Sequence, residues 1–350
     1  MIDPMSGTQK TSDPGVFLPV DDMTLDISHE LRTPLTAIQV TLDLLERGKL
    51  GTLSEQGRRM VRIAANNADR LVRLTTSLEQ LPEFLLSPIF AKELMCLRLE
   101  TDLRVAVKHR ELQLDYQPII HLSTGQIVGF EALLNWQHPT LGILFADQIM
   151  QVAEMSDLVH LIGAWMLWEA CEQLRTWQKR YPGYFDSLCI NVNLSSKQLF
   201  DPHLIQQVEQ ILQHTGLAAQ SLNLEITENA MMGNTALVEI VLDQLRALGI
   251  QICLDDFGVG YSCLRCLHEL PLDMLKVDRR FIDQLDSEGG KHLVQAIVSL
   301  ARNIGIEVIA EGIETAEQLR KLQGLNCYLG QGYFFAKPLS AEAVIALICP

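Results

Sequence analysis

Short apolar runs alternate with longer amphipathic stretches between residues 112 and 335, and most of the runs end on an acidic or amide side chain. The runs predict strands at Leu112–Ile119, Ile127–Trp136, Leu188–Leu194, Leu222–Thr227, Ile250–Phe257, Met274–Val277, Glu307–Ala310 and Tyr328–Phe335. Helical periodicity separates most of them, for example in Ala236–Leu248 and Lys291–Ile304. Eight strands with intervening helices in about 250 residues match the size of an α/β barrel of the (β/α)8 type.

The N-terminal part of the chain has a different period. Apolar residues recur at steps of three and four from Met23 to Arg47, and again from Met60 to Leu78, with a turn at Gly48–Leu53. One helical hairpin is too thin to bury two apolar stripes, so we expect it to pair with a second copy in a four-helix dimer. The predicted organisation is a disordered tail at 1–22, a helical hairpin at 23–82, a linker at 83–97 and the barrel at 98–350.

Oxygen-bearing side chains stand at the predicted strand ends. They occur in EALLNW (131–136), NVNLS (191–195), LEITE (224–228), LDDF (254–257), LKVDR (275–279), AEGIE (310–314) and GQGYF (330–334). Strand ends of a barrel meet at one rim, so these side chains are expected to converge. The predicted ring of ligands is Glu131, Asn193, Glu225, Asp255 and Asp256. Such hard oxygen ligands suit Mg²⁺ or Mn²⁺ better than zinc.

These motifs, taken together and in this order, resemble the EAL domain, a family of cyclic di-GMP phosphodiesterases. The resemblance covers about residues 98–350. It implies a modified TIM barrel whose first strand runs antiparallel. It also implies metal-dependent opening of cyclic di-GMP to linear pGpG, with two divalent ions at each site.

The resemblance also implies individual roles. Glu131, Asn193, Glu225 and Asp255 would surround one ion, and Asp255 with Asp256 would hold the second. Lys276 would orient or activate the attacking water, and Glu311 would act as general base with support from Glu314. Glu228 would anchor the loop 257–264, and Gln117, Leu133 and Gln331 would contact the substrate or the surroundings of the metals. Two structural alternatives stay open: Lys276 paired with Asp278, and an Asp255–Asp256 pair in which one acid caps a helix.

One position departs from the family pattern. The family motif usually reads E-A-L-L-R, with the arginine reaching a substrate phosphate, whereas the fifth position here is Asn135. Loss of a charge-assisted contact corresponds to about 1.5–3 kcal/mol, or roughly 10–150-fold in affinity. We therefore expect weakened substrate binding rather than abolished chemistry.

The segment DISHELRTPLTAI (26–38) resembles the H box of histidine-kinase dimerisation and phosphoacceptor domains. His29 would be the phosphate acceptor. No ATP-binding kinase domain follows before the barrel, so His29 is not expected to be phosphorylated by this polypeptide alone. The two hypotheses are a dimerisation bundle that is retained without phosphotransfer, and phosphorylation in trans by a kinase or response regulator.

Charge and cysteine content narrow the function classes. With 43 acidic and 28 basic residues the net charge is -15, which argues against binding to nucleic-acid polymers or anionic membranes. The eight cysteines are scattered, and Cys263 with Cys266 form one Cys-x-x-Cys pair without the second pair that a zinc site needs. No secretory signal or membrane span is predicted, so the expected location is the cytoplasm.

Three functions fit the sequence. The first is a dimeric cyclic di-GMP phosphodiesterase controlled through the helical hairpin, with further dimer contacts through the barrel. The second is a receptor that binds cyclic di-GMP without turnover, which Asn135 favours and the complete set of acids opposes. The third is a phosphorelay scaffold that uses His29.

Overall fold

The computed structural model divides the chain into two compact units, Met1–Met95 and Cys96–Pro350. The structure describes residues 34–38, 40–45, 51, 54, 57, 61, 64, 68, 88–109, 111–154, 156, 158–231, 235–258, 267 and 269–349. The predicted tail 1–22, His29 and the Cys263–Cys266 pair lie outside these residues.

In the first unit the described residues 34–38 and 40–45 are helical, as are positions 57, 61, 64 and 68. Along the first apolar stripe Leu35 is buried, whereas Ile38 is about half exposed. Ala68 of the second stripe is also buried. The pairing of these stripes into a hairpin, and of the hairpin with a second copy, remains a prediction.

The second unit contains one continuous sheet. Within its described residues the strands are β1 Leu112–His121, β2 Ile127–His138, β3 Gly142–Phe145, β4 Cys189–Leu194, β5 Leu222–Thr227, β6 Gln251–Phe257, β7 Met274–Val277, β8 Glu307–Ala310 and β9 Leu329–Gly330. Strand β1 pairs antiparallel with both β2 and β9, and parallel pairs connect the other ring strands from β2 through β4 to β9. Eight strands therefore close into a barrel, and β3 lies outside it on the edge of β2. This confirms the modified TIM barrel with an antiparallel first strand.

Helices surround the barrel. The described α-helices are α1 Pro88–His109, α2 Ala146–Glu154, α3 Leu158–Arg180, α4 Ser196–Leu199, α5 Leu204–Thr215, α6 Glu228–Met231, α7 Thr235–Ala247, α8 Arg279–Ile282, α9 Glu288–Asn303, α10 Ala316–Gly324 and α11 Ala341–Ile348. Local capping sets several of their first turns: the Ser287 hydroxyl accepts from the Gly290 amide at the start of α9. Among the described helices, none combines the length and hydropathy that a membrane span requires.

Seven of the eight predicted strands are confirmed, and each of their ends lies within two residues of its predicted position. The eighth prediction, Tyr328–Phe335, is wrong beyond its first residues, since β9 consists of Leu329–Gly330 alone. The chain then turns against the segment after β8, where a Cβ on Gly332 would lie 2.1 Å from the Ile313 carbonyl oxygen. Strand β3 was not predicted, and α1 begins at Pro88, within the range assigned to the linker.

The two faces of the barrel wall have different chemistry. On β2 the side chains of Phe130, Ala132 and Trp136 face the helices and are buried in the main core. The alternate residues of this strand, from Glu131 onward, face the barrel interior. A small second core of Ile119, Cys253, Met274 and Ile309, together with partly buried Val128 and Leu329, fills the barrel interior below them. The charged groups of the inner wall thus lie toward the rim at the carboxyl ends of the parallel strands, above this apolar core.

Candidate active site

Lys276 of β7 lies at the centre of a group of carboxylates from different strands or strand ends. Its side chain is 1% exposed, and its Nζ lies 2.7 Å from Glu311 Oε1, 2.8 Å from Glu225 Oε2, 3.0 Å from Glu131 Oε2 and 3.5 Å from Asp255 Oδ1. Burial opposes the charged ammonium, but the surrounding carboxylates outweigh it and raise the pKa of Lys276 well above its usual value. The alternative pairing with Asp278 is wrong, because Asp278 instead caps α8 and bonds Arg280.

The acids at this site carry more charge than Lys276 can balance. Five carboxylates, those of Glu131, Glu225, Asp255, Asp256 and Glu311, accompany one ammonium, which leaves a net charge of -4 if all are ionised. Burial raises the pKa of Glu311 to about 8, and burial with the charge of Glu131 raises the pKa of Glu225 well above its usual value. Burial also raises the pKa of Asp256, with the Asp255 charge adding to the effect. Glu131 is the exception: burial acts to raise its pKa, but the Lys276 charge together with hydrogen bonds from Gln331, Lys276 and Asn193 outweighs burial and lowers the pKa.

This charge excess fits divalent cations. Ligand oxygens of Asp255, Asp256 and Glu311 lie within 4.8 Å of one another, close enough to share one ion. Carboxylates crowded in this way repel one another unless cations lie between them. Their hard oxygens match the preference of Mg²⁺ and Mn²⁺, and the surplus of negative charge is what such ions would offset.

Two side-chain amides, those of Asn193 and Gln331, donate hydrogen bonds to the carboxylates. Asn193 Nδ2 donates to Glu131 Oε1 at 2.8 Å. Gln331 Nε2 donates to Glu131 Oε2 at 2.7 Å and to Glu311 Oε1 at 2.9 Å. Among the described residues the buried Gln331 Oε1 has no hydrogen-bond partner. A buried carbonyl oxygen in this state is a natural contact for a bound ion or its waters.

A row of buried amides below the rim orients Glu225, and the sequence analysis missed it. Asn191 Nδ2 donates to Glu225 Oε1 at 2.7 Å, and Asn223 Nδ2 donates to Asn191 Oδ1 at 2.9 Å. Both asparagines lie two residues before a predicted ligand, on the same strand and the same face. Period-two spacing within NVNLS and LNLE was the available signal.

The backbone turns sharply near the end of β6, at the two adjacent aspartates. Asp256 adopts a φ of 55°, the left-handed region that a non-glycine residue enters at a cost in free energy, and its amide donates to Asp255 Oδ1 at 2.9 Å. Gly258 follows with a φ of 93°, and its amide donates to Glu228 Oε2 at 3.3 Å. A Cβ on Gly258 would lie 2.4 Å from the Phe281 ring. Glu228 therefore contacts the start of the 257–264 loop, most of which lies outside the described residues.

A cleft of about 290 Å³ opens above the acids. Its lining residues are Gln117, Glu131, Leu133, Arg279, Glu311, Gly312, Glu314, Gln331, Gly332 and Tyr333. Arg279, which the sequence analysis missed, passes over Gly312 and bonds Glu314 at 2.9 Å. Its place as the last residue of LKVDR, two residues after the end of β7, was the available signal. The predicted contact residues Gln117, Leu133 and Gln331 thus share one cleft.

Asn135 lies farther along the inner face of β2 and is 5% exposed. Its Nδ2 donates to Asp115 Oδ2 of β1 at 2.6 Å. Burial raises the pKa of Asp115, against the lowering effect of this hydrogen bond. The amide of Asn135 is therefore committed within the protein, and Asp115 is a second residue of the rim that sequence analysis did not identify.

Comparison with known proteins agrees with this geometry. The profile of the EAL domain matches residues 100–338, more than half of the chain. The chain belongs to the EAL domain family. A second profile, that of the His Kinase A (phospho-acceptor) domain, matches residues 20–82.

Two curated relatives come from Pseudomonas aeruginosa. The chain is 40% identical to cyclic di-GMP phosphodiesterase NbdA over 249 residues, which cover 71% of the chain and 31% of NbdA. It is 39% identical to the bifunctional diguanylate cyclase/cyclic di-GMP phosphodiesterase MucR over 254 residues, covering 72% of the chain and 36% of MucR. The chain thus spans about a third of the length of these relatives.

Two solved structures are similar to this chain over most of its length. The PaMucR phosphodiesterase in complex with c-di-GMP has a TM-score of 0.67 and 38% identity, covering 71% of this chain and 99% of that one. The EAL enzyme Bd1971, in a form bound to cAMP and cyclic-di-GMP, has a TM-score of 0.70 and 32% identity, covering 87% of this chain and 78% of that one.

Proposed function

We propose that the barrel hydrolyses one phosphodiester bond of cyclic di-GMP to give linear pGpG, and that it needs Mg²⁺ or Mn²⁺, two ions per site, to do so. The observation that carries the proposal is the cluster of five carboxylates around Lys276 at the floor of a cleft. Membership of the EAL domain family supports the substrate, since relatives over this same region are named cyclic di-GMP phosphodiesterases.

The residues proposed to hold the ions are Glu131, Asn193, Glu225, Asp255 and Asp256, and Glu311 lies within reach of the last two. When bound, divalent ions neutralise charge on the phosphoryl oxygens and lower the pKa of water. The protein's own contribution is a fixed, buried arrangement of ligands: the Asn223–Asn191 row holds Glu225, and Asn193 and Gln331 hold Glu131.

Glu311 is the proposed general base. A carboxylate whose pKa is raised to about 8 is a stronger base than an exposed glutamate and accepts a proton from the attacking water more readily. Water adds to phosphorus, and the bond from phosphorus to the 3′-oxygen breaks, leaving a 5′-phosphate and a free 3′-hydroxyl. Lys276, held 2.7 Å from Glu311, keeps positive charge beside the reacting phosphate and orients the water.

The cleft is the proposed binding site of the dianionic substrate. Gln117 and Leu133 on one wall, and Arg279 and Tyr333 on the other, are proposed to contact the sugar, base or phosphate groups. Arg279 brings a cation to the cleft, although Glu314 and Asp283 share its charge. The proposal includes weakened substrate binding, because Asn135 replaces the arginine that the family usually has at this position. Asn135 also favours a second candidate function, a receptor that binds cyclic di-GMP with little turnover.

The N-terminal unit is proposed to form a homodimer through its His Kinase A-like helices and to regulate the barrel. The match over residues 20–82 supports this role. Phosphorylation of His29 would require a kinase or response regulator acting in trans. A test is to compare the full chain with a His29→Ala variant for oligomeric state and rate. A difference in rate that develops only after incubation with a phosphodonor would favour phosphotransfer, and equal rates throughout would favour a dimerisation role alone.

The function itself is tested by product analysis. Purified protein is incubated with cyclic di-GMP and Mg²⁺, Mn²⁺ or EDTA, and the nucleotides are separated by chromatography. We expect a single product, pGpG, with either metal and none with EDTA. Tight binding with no product under any metal condition would instead establish the receptor function.

The raised pKa of Glu311 predicts a pH-dependent stability in EDTA. The native state keeps a proton on Glu311 up to about pH 8, whereas the unfolded state releases it near its ordinary pKa of 4.5. The native state therefore binds more protons in this window, and the free energy of unfolding falls as pH rises through it. In Glu311→Gln this contribution disappears, and we expect a smaller fall, by an amount of order 2–4 kcal/mol.

Urea unfolding of both proteins in EDTA between about pH 5 and pH 8.5 checks this prediction. Glu225, whose pKa is also raised, is present in both proteins, so its effect cancels in the difference. Curves of unfolding free energy against pH that run parallel for the two proteins would contradict the assigned environment of Glu311.

A further inference from the structure

The rim of the cleft carries a carboxylate that the proposed chemistry does not use. Asp115 of β1 lies directly opposite Leu133 of β2, the leucine that lines the cleft. One carboxylate oxygen accepts the amide of Asn135 at 2.6 Å. Among the described residues no basic side-chain nitrogen lies within 4.0 Å of the Asp115 carboxylate, so no ion pair there compensates its charge.

The inner faces of β1 and β2 form a wall that rises from the acid cluster to this carboxylate. In the register of the two strands, the cross-strand partners are Gln117 with Glu131, Asp115 with Leu133, and Gln113 with Asn135. Each step of two residues advances about 7 Å along the wall. Asp115 is therefore one step above the floor that would hold the phosphodiester to be cleaved. Because one small macrocycle carries both phosphodiesters of cyclic di-GMP, a substrate that extends along this wall from the acid cluster brings its second phosphate near Asp115.

We propose that Asp115 is a specificity-determining residue that sets the affinity of the cleft for its doubly charged ligand by placing an uncompensated negative charge at the rim. This inference rests on the proposed function. It also changes the interpretation of Asn135. At this position the rim lacks the positive charge of the arginine that the family usually has, and on the neighbouring strand it carries the negative charge of Asp115.

The geometry makes the two positions interdependent. Asp115 and Asn135 are diagonal neighbours across the strand pair, a separation that long side chains span easily. An arginine introduced at position 135 would meet the Asp115 carboxylate where the amide of Asn135 now lies. A buried arginine–carboxylate pair would hold that guanidinium away from a phosphate. Restoring the arginine alone is thus expected to gain little affinity while Asp115 keeps its charge.

A double-mutant cycle tests the proposal. Rates of pGpG formation are measured at about pH 8 with saturating Mg²⁺ for the wild type, Asp115→Asn, Asn135→Arg and the double variant. Asp115→Asn is expected to lower KM about 3–10-fold, with kcat within about twofold, because a like charge near the ligand is removed. Asn135→Arg alone is expected to change KM by less than about threefold, and the double variant to lower KM by more than the product of the two single effects.

Matched controls separate this effect from net charge and from folding. Asp243→Asn removes the same charge from the exposed face of α7 and is expected to leave KM unchanged. The Asp115→Asn gain should shrink in about 0.5 M salt, since it is electrostatic. Asp115→Ser provides a second variant with the same expected direction should the amide disturb the Asn135 contact.

The outcomes distinguish this inference from the proposed function. An unchanged or higher KM in both Asp115 variants, or single effects that simply multiply in the double variant, would overturn the role of Asp115 while leaving the phosphodiesterase intact. A wild type that neither binds nor hydrolyses cyclic di-GMP would overturn the proposed function and this inference together.

Discussion

Replacing Asp255 with alanine is expected to lower kcat for cyclic di-GMP by at least about 10³-fold, equivalent to about 4 kcal/mol of transition-state stabilisation. Asp255 lies at the end of β6, 3.5 Å from Lys276, and with Asp256 and Glu311 forms the group of oxygens best placed to share an ion. Resemblance to the EAL family would place it between the two ions. Removing its carboxylate should therefore weaken both metal positions.

A second readout distinguishes loss of chemistry from loss of fold. In EDTA, Asp255→Ala relieves repulsion among the crowded carboxylates, so its melting temperature should equal or exceed that of the wild type. Asp278→Ala is the matched control, because Asp278 also follows a barrel strand but caps α8 and is not a proposed ligand, and its charge acts on Asp256 only as a secondary influence. We expect the control to keep its activity within about fivefold and to lose about 1 kcal/mol of stability with its helix cap. Appreciable turnover by Asp255→Ala would contradict the assigned metal site.

Replacing Lys276 with methionine, a neutral side chain of similar length, should destabilise the metal-free protein strongly. Lys276 is the cation on which Glu131, Glu225 and Glu311 converge, all within 3.0 Å. Removing one partner of a buried ionic group leaves uncompensated charge and costs about 3–5 kcal/mol. The melting temperature in EDTA should fall accordingly, and divalent ions should recover part of the loss because they offset the same carboxylates.

Turnover by Lys276→Met should fall about 10²–10³-fold even with saturating metal, since the variant lacks the cation beside the reacting phosphate. Lys291→Met, which removes an exposed lysine of α9, serves as the control for charge and should behave like the wild type. A Lys276→Met protein whose melting temperature in EDTA matches that of the control would show that Lys276 does not balance the cluster.

Much of the barrel could be predicted from sequence because its strands are buried on both faces and end on polar groups. The run Leu222–Thr227 is almost wholly buried, and its apolar residues alternate with Asn223 and Glu225, so the period-two pattern and the strand boundaries coincide. The prediction of the last strand, Tyr328–Phe335, was wrong for a physical reason. Residues 333–335 are aromatic and resemble a strand, yet contacts of residues 331–334 with the backbone of Ile313, and not strand pairing, determine the path of the chain after Gly330.

The grouping of the predicted acids at one rim was also predictable, whereas their contacts were not. Strand ends identify which acids share the rim, so the sequence alone is enough to group Glu131, Glu225 and Asp255. That Lys276 contacts four acids depends on how neighbouring strands are offset around a closed barrel. The Asp115–Asn135 contact depends likewise on the register of an antiparallel pair, which the order of residues along the chain does not reveal.

The most direct test of the account is a Mn²⁺ titration of metal-stripped protein, in which pGpG formation and bound Mn²⁺ are measured in the same samples. The account predicts no product without metal and turnover that rises to its maximum as two ions bind per barrel. Undiminished turnover in EDTA, or cyclic di-GMP bound at saturating Mn²⁺ without any product, would contradict it.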